Sequence, residues 1–309
     1  METGNRTYRL VTRSDFDGLV CAVLLREQKL IGDIKFVHPK DMQDGLIAIS
    51  GQDITTNLPY VEGVHLAFDH HVSETIRVGE KDNYIIDPDA PSTARVVYNF
   101  FGGPDGFPRI SDKMMTAVDK GDSANFSEEE VLHPDEWNLL NFIMDARTGL
   151  GRFRNFRISN YQLMMDLIDY CTDHDIDDIL QLPDVSERVG LYFEHQDRFI
   201  SQLQEAGRMD ENVLIVDLRE VETIYAGNRF VKYALFPDAN VSVQIIWGFK
   251  KQNTVLTVGK SIFNRTCPVN VGELMLTYGG GGHENAGTCQ VANDDAERVL
   301  SEVLAALKA

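Results

Sequence analysis

Phe68-Asp69-His70-His71 follows an apolar run (Val64, Leu66, Ala67, Phe68) and sets one carboxylate beside two adjacent imidazoles. The run reads as a buried strand. Side chains alternate along a strand, so Asp69 and His71 share one face and His70 takes the other. At the strand's carboxyl end the alternation relaxes, and all three groups can meet in one crevice. Open α/β sheets place their ligand sites at that edge. An isolated Asp-His-His is as readily a solvated strand end, so the acidic clusters elsewhere in the chain decide the reading.

Toward the N-terminus, Tyr8-Arg9-Leu10-Val11-Thr12 is a short strand that runs into Ser14-Asp15-Phe16-Asp17-Gly18. Leu19, Val20, Ala22, Val23, Leu24 and Leu25 then begin a buried helix. Strand, acidic turn and helix form the first unit of a parallel sheet. Asp15 and Asp17 have the spacing to put two carboxylates at one strand tip, and Gly18 lets the backbone turn tightly. An ordinary helix cap accounts for one of these acids better than for two. Further strands are expected at 34–39, 53–59 and 84–87, with Pro59 ending the third. The stretch 46–49 is either a short helix or a strand segment. A helix is expected over 91–101, starting at Ser92-Thr93-Ala94. Strands alternating with helices specify an α/β fold with a parallel, helix-covered sheet.

From 111 to about 170 the pattern is mainly helical. It contains Asp119 and Asp122, three apart and therefore on one helix face. Between Arg147 and Arg157, four arginines and two phenylalanines (Phe153, Phe156) fall within eleven residues, a concentration that stands out in so acidic a chain. Such a stretch either pairs with neighbouring acids or binds phosphates and stacks on bases. Residues 185–205 have apolar positions at helical spacing and lead to a second strand-rich block, with strands at 213–216, 233–236, 241–247, 253–258 and 288–291. A helix is expected at 271–278. The run Gly279-Gly280-Gly281-Gly282-His283 lies between that helix and the last strand and reads as a structured turn whose N–H groups can approach an anion.

At 309 residues the chain is long enough for two domains, and 43% hydrophobic content suits a globular protein. No apolar run reaches membrane-spanning length, and METGNRTYRL lacks the pattern of a signal peptide. Cys21, Cys171, Cys267 and Cys289 are scattered, without zinc-site spacing. A cytoplasmic location with reduced thiols is the expectation. A net charge of −19 argues against nonspecific binding of long duplex DNA, which depends on neutralising many phosphates. It leaves room for a small phosphorylated substrate held by metals and a few arginines.

Asp15-Phe16-Asp17-Gly18, Asp69-His70-His71, Asp122-Ser123-Ala124-Asn125-Phe126 and Gly279 to His283 with Ala286-Gly287 occur in the order seen in the DHH phosphoesterase superfamily. Nearly the whole chain resembles its two-domain members with the DHH-associated C-terminal domain, which include oligoribonucleases, RecJ-like nucleases and exopolyphosphatase-related proteins. The resemblance implies a parallel-sheet DHH domain over 1–190, including a helical portion and the start of a connecting helix. It implies a smaller α/β substrate-binding domain over 208–309, with the active site in the cleft between them. It implies two manganese ions, with magnesium or cobalt as alternatives, held by Asp15, Asp17, Asp69, His70 and Asp122. Asp69, His70 and His71 are the implied catalytic group. Gly280, Gly281, Gly282, His283 and Arg265 match the C-terminal phosphate-binding motif, and Arg147, Arg152 and Arg154 are further substrate-binding candidates. Carboxylates and imidazole suit manganese. A pair of such ions would clamp the attacking and leaving oxygens of an in-line displacement.

Two positions depart from the family pattern. Arg13 stands where many members have His, and Asn57 stands where a carboxylate normally bridges the metals. Either Asn57 coordinates weakly, or Asp53 fills in, or one ion binds loosely. The implied activity is hydrolysis of phosphoester bonds in short oligoribonucleotides or small nucleotides, without duplex DNA or membrane as partner and with a homodimer left open. Inorganic polyphosphate hydrolysis, or nucleotide and metal binding with hydrolysis lost, are the alternatives.

Overall fold

The computed structural model describes residues 7–153 and 155–308. The chain begins β1 (Tyr8–Arg13), α1 (Phe16–Glu27), β2 (Ile31–Val37), α2 (Pro39–Gln43), β3 (Asp53–Thr56), β4 (Leu66–Asp69), α3 (Val72–Val78), β5 (Tyr84–Ile86) and α4 (Thr93–Phe100). The five strands form one parallel sheet in the order β2-β1-β3-β4-β5. Strand order reverses between β1 and β3, so a crevice opens at their carboxyl ends. Asp15 follows β1 there, Asn57 follows β3, and His70 follows β4.

The residues explain these elements. Leu19 to Leu25 of α1 are all fully buried, as expected of a helix that is apolar all round. Gly18 is required by close approach: a Cβ there would stand 2.0 Å from the Arg13 carbonyl oxygen. Ser92 caps α4 by accepting from Arg95 N at 3.0 Å. The stretch 46–49 forms neither helix nor strand among the described residues.

Helices dominate next, with α5 (Asp112–Ser123), α6 (Glu128–Leu132), α7 (Glu136–Met144), α8 (Asn160–Asp173), α9 (Ile176–Gln181) and α10 (Pro183–Ala206). The chain then runs through β6 (Gly207–Asp210), β7 (Val213–Asp217), α11 (Val231–Leu235), β8 (Val241–Trp247), β9 (Thr254–Lys260), α12 (Val271–Leu276), β10 (Gly281–His283), β11 (Ala286–Val291) and α13 (Ala296–Lys308). The fold divides into two units, 1–126 with 134–190 and 127–133 with 191–309.

The second unit carries a six-stranded mixed sheet, β10-β11-β9-β8-β7-β6, in which only β7 and β8 run parallel. Its core packs Val243, Ile245, Leu256 and Val258 of the sheet with Met275 of α12 and Val299 and Val303 of α13. Two expectations fail here. Residues 233–236 lie in helix α11 and its end, because the Asn228 side chain accepts from Phe230 N at 3.0 Å and starts a helical turn. The glycine run supplies an edge strand as well as a turn. Gly282, at φ +156°, lies so close to β11 that a Cβ would stand 2.2 Å from the Ala286 carbonyl oxygen.

Candidate metal centre

Asp17, in the first turn of α1, is almost wholly buried, and its carboxylate meets the start of α4. Oδ1 accepts from Ala94 N at 2.7 Å and Oδ2 from Thr93 N at 3.1 Å. His70 places Nδ1 3.1 Å from the Ala90 carbonyl oxygen. A carbonyl can only accept, so Nδ1 keeps its proton, and loss of the ring's other proton would present the Nε2 lone pair. Nε2 is buried and lies 2.7 Å from Asp122 Oδ2, in the last turn of α5, so the ring and that carboxylate pair directly. One ligand atom each from Asp17, His70 and Asp122 falls within 4.8 Å of the others. Two carboxylates and an imidazole lone pair aimed at one point fit a divalent ion of the manganese or magnesium type.

Burial pushes Asp17 up to about 7, with Asp122 adding to the rise and His70 opposing it. Burial pulls His70 down, and the Asp122 and Asp17 carboxylates override it and raise the imidazole to about 9. Asp122 also resists burial, which would raise it; His70 and Arg13 hold it below the usual carboxylate range. The signs fix a pH dependence. The stabilising contribution of Asp17 is complete below about 4 and is lost as pH rises through about 7. That of His70 is complete below about 6.5 and is lost as pH rises through about 9. Both groups must be deprotonated to ligate, so metal binding releases protons and tightens with pH. Manganese is expected to raise Tm more at pH 8.5 than at pH 6.5, with EDTA reversing the gain in scanning calorimetry. Equal gains at the two pH values would place the ion elsewhere.

The other ligands assigned from sequence lie around this cluster without joining it. Asp69 turns away. Its Oδ1 accepts from His70 N at 2.8 Å and faces His71 Nδ1 at 2.7 Å, while Oδ2 accepts from Tyr84 Oη at 3.1 Å. Both oxygens are hydrogen-bonded, and Asp69 orients the two histidines. Burial lowers His71 and Asp69 raises it, for a net rise on a ring still 40% exposed. Asp15 caps α1 through Gly18 N at 3.0 Å, accepts from Asn57 Nδ2 at 3.2 Å and pairs with Arg13 Nε at 2.8 Å. Burial raises Asp15, and Arg13 opposes the rise. Asn57 sits at φ 55°, a left-handed conformation Asn tolerates, with its Oδ1 buried and unpartnered. Asp53 cannot fill in, because it lies at the opposite end of β3 and is bound by Arg9 Nε at 2.6 Å and Ser50 N at 2.7 Å. Asp119 serves the scaffold, accepting from Ser92 Oγ at 2.8 Å and Arg95 Nε at 3.0 Å.

The arginine stretch divides. Arg147 pairs with Asp145 at 2.7 Å and lies close enough to Asp15 and Asp122 for their charges to raise it further, although burial opposes this. The Arg152 guanidinium folds over its own loop, so that a Cβ on Gly149 would meet Nη2 at 2.0 Å. Arg154 lies outside the described residues. Phe156 is engaged by the buried Arg188, whose guanidinium stands 4.2 Å from its ring centre, so this ring is structural. In the second unit His283 is exposed on β10 and accepts from Asn285 N at 3.3 Å, while Arg265 Nε donates to the Ile262 carbonyl at 2.9 Å. The sequence reading missed Tyr84 as the partner of Asp69, and the two α4 amides that hold Asp17. The Ser92-Thr93-Ala94 helix start was the available signal for the amides.

No family model matches the chain, and neither does any curated protein. Among solved structures it is similar to the pGpG-specific phosphodiesterase PggH from Vibrio cholerae, with 59% identity over 97% of this chain and 100% of that one and a TM-score of 0.85. CDC45 from Entamoeba histolytica shares the fold alone, at 9% identity over 98% of this chain and 96% of that one, with a TM-score of 0.52.

Proposed function

The chain belongs to the DHH phosphoesterase superfamily of metal-dependent hydrolases, and from that premise we propose that it cleaves short linear oligoribonucleotides, with pGpG as its substrate. The observation that carries this reading is the 59% identity to a pGpG-specific phosphodiesterase across nearly the entire chain. Asp17, His70 and Asp122 would hold one divalent ion, and Asp15 and Asn57 flank the place for a second. Bound there, the metal supplies Lewis acidity toward a phosphate oxygen and lowers the pKa of the attacking water.

The rest is the work of the chain. Thr93 N and Ala94 N fix the Asp17 carboxylate, and the Ala90 carbonyl selects the His70 tautomer. Asp69 accepts from Nδ1 of His71 and favours the protonated ring, so that Nε2 of the imidazolium is the donor of a proton. Water adds to phosphorus, the bond to the 3′ oxygen breaks, and that oxygen takes the proton from His71. Two molecules of guanosine monophosphate leave. Arg147 adds positive charge for the phosphate in the first unit; Arg265, His283 and the glycines before it are the candidates in the second.

The deciding experiment offers the purified protein pGpG, other short oligoribonucleotides, cyclic dinucleotides and polyphosphate in the presence of manganese. Release of guanosine monophosphate from pGpG is expected. Polyphosphate cleavage with pGpG left intact would overturn the assignment.

Arg13 and Asn57 bear on the number of ions. A neutral amide at the flank of the cluster cannot offset repulsion between two dications, which at about 4 Å amounts to roughly 4 kcal/mol even in bulk water. Arg13 already supplies a positive charge to Asp15. The second ion is therefore expected to bind more weakly than the first, and Asn57→Asp to tighten it at least tenfold in a calorimetric manganese titration. Two equally tight sites in the parent, unchanged by the substitution, would refute this role for Asn57.

A further inference from the structure

Strands β1 and β3 end side by side, and their ends are locked together. Thr12 pairs with Thr56 across the two strands, and both side chains are wholly buried. Thr56 Oγ1 donates to Thr12 Oγ1 at 2.7 Å, which donates in turn to the Thr56 carbonyl at 3.2 Å. The next residue on one strand is Arg13 and on the other Asn57, the two positions that depart from the family pattern. Both reach the same carboxylate. Arg13 Nε lies 2.8 Å from Asp15 Oδ2, and Asn57 Nδ2 donates to Asp15 Oδ1 at 3.2 Å.

The two departures act in the same direction. A carboxylate at position 57 would make the place beside Asp15 doubly negative, whereas Asn57 and Arg13 together leave it with no net charge. A dication that approaches Asp15 meets a guanidinium already seated on the same carboxylate, and like charges that close repel. The guanidinium itself is well placed for an anion. It is anchored to Asp15 through Nε, its side chain is 36% exposed, and its terminal Nη donors lie away from that anchor. Its charge also reaches Asp122 of the cluster and helps to hold that acid below the usual carboxylate range. A guanidinium fixed at one edge and open at the other matches a pair of phosphate oxygens.

We propose that Arg13 supplies, beside Asp15, the positive charge that the family pattern assigns to a second ion: its guanidinium contacts the oxygens of the scissile phosphate and competes with a second ion for Asp15. This rests on the phosphodiesterase reading and deepens it. The chain then works with the ion of the Asp17, His70 and Asp122 cluster and a fixed organic cation at its flank. Removing that cation has two opposite consequences. The phosphate loses a partner, and Asp15 becomes available to metal.

The test titrates manganese calorimetrically, without substrate, into the parent, Arg13→Gln and Arg147→Gln, each checked for folding by circular dichroism. Arg13→Gln is expected to bind the second ion at least tenfold more tightly than the parent. Arg147→Gln removes the same charge from a residue paired with Asp145 and is expected to leave that affinity unchanged. In parallel, kcat/KM for pGpG is measured as manganese is raised. At manganese that fills only the first site, Arg13→Gln is expected to lose at least tenfold, and to recover part of the loss as the second ion enters. If the parent does not cleave pGpG, the substrate reading falls and the metal titration alone decides the part of Arg13. Second-ion affinity unaltered in Arg13→Gln, or tightened equally in Arg147→Gln, would overturn the proposal. So would an Arg13→Gln enzyme with parent-like kcat/KM at low manganese.

Discussion

His70→Ala is expected to abolish phosphodiester hydrolysis, by at least about a thousandfold, in a protein that still folds. A divalent ion held by the cluster would contribute several kcal/mol of transition-state stabilisation, and each 1.36 kcal/mol lost is a factor of ten in rate. Folding depends on this side chain less than turnover does: the variant loses the bond from Nδ1 to the Ala90 carbonyl, worth about 1 kcal/mol, and the pairing with Asp122, and keeps the packed core. Asp17→Ala should give the same loss of turnover with a larger fall in stability, since it strips the acceptor from two buried amides at the start of α4. Initial rates with pGpG and manganese, together with bound metal measured by elemental analysis, check both variants. Parent-like turnover by either one, or full metal content in the inactive protein, would remove the assigned ligand role.

The second large effect belongs to Asp69, and it should look different. Its carboxylate is 1% exposed and receives the Tyr84 hydroxyl, the His70 amide and the His71 ring. Asp69→Ala leaves these donors facing a void in the core and should cost about 3–5 kcal/mol of stability. Turnover should fall by two orders of magnitude or more, because neither histidine keeps its orientation. Tyr84→Phe removes one of the contacts and should lower Tm modestly while retaining most of the activity. Thermal unfolding beside pGpG kinetics separates the cases. An Asp69→Ala protein as stable as the parent that has lost its metal would make Asp69 a direct ligand.

The part of this site legible in the sequence was the part made of unusual side chains. Two acids beside Gly18, an Asp-His-His after an apolar run and an acid at the end of a helix could each be placed at a strand or helix end from periodicity. Their partners were another matter. Asp17 is held by the amides of Thr93 and Ala94, and His70 by the carbonyl of Ala90. Every residue carries such groups, so nothing in their identity marks them. Asp119 and Asp122 occupy one helix face and look equivalent as letters. Arg95 and Ser92 claim the first, which leaves the second for the cluster. Residues 233–236 went wrong because a four-residue apolar run fits strand and helix equally, and only the Asn228 turn before it decided between them. Phe156 read as a stacking face, but its ring was already taken by an arginine more than thirty positions away in sequence.

The grip of α4 on Asp17 makes the metal centre audible from the backbone. Both oxygens of that carboxylate are shared between a prospective cation and the Thr93 and Ala94 amides. Any change in how tightly the ion pulls on the carboxylate must alter how often those two N–H groups open to solvent. Hydrogen–deuterium exchange at the first turn of α4 would then follow occupancy of the centre in real time, without substrate and without turnover.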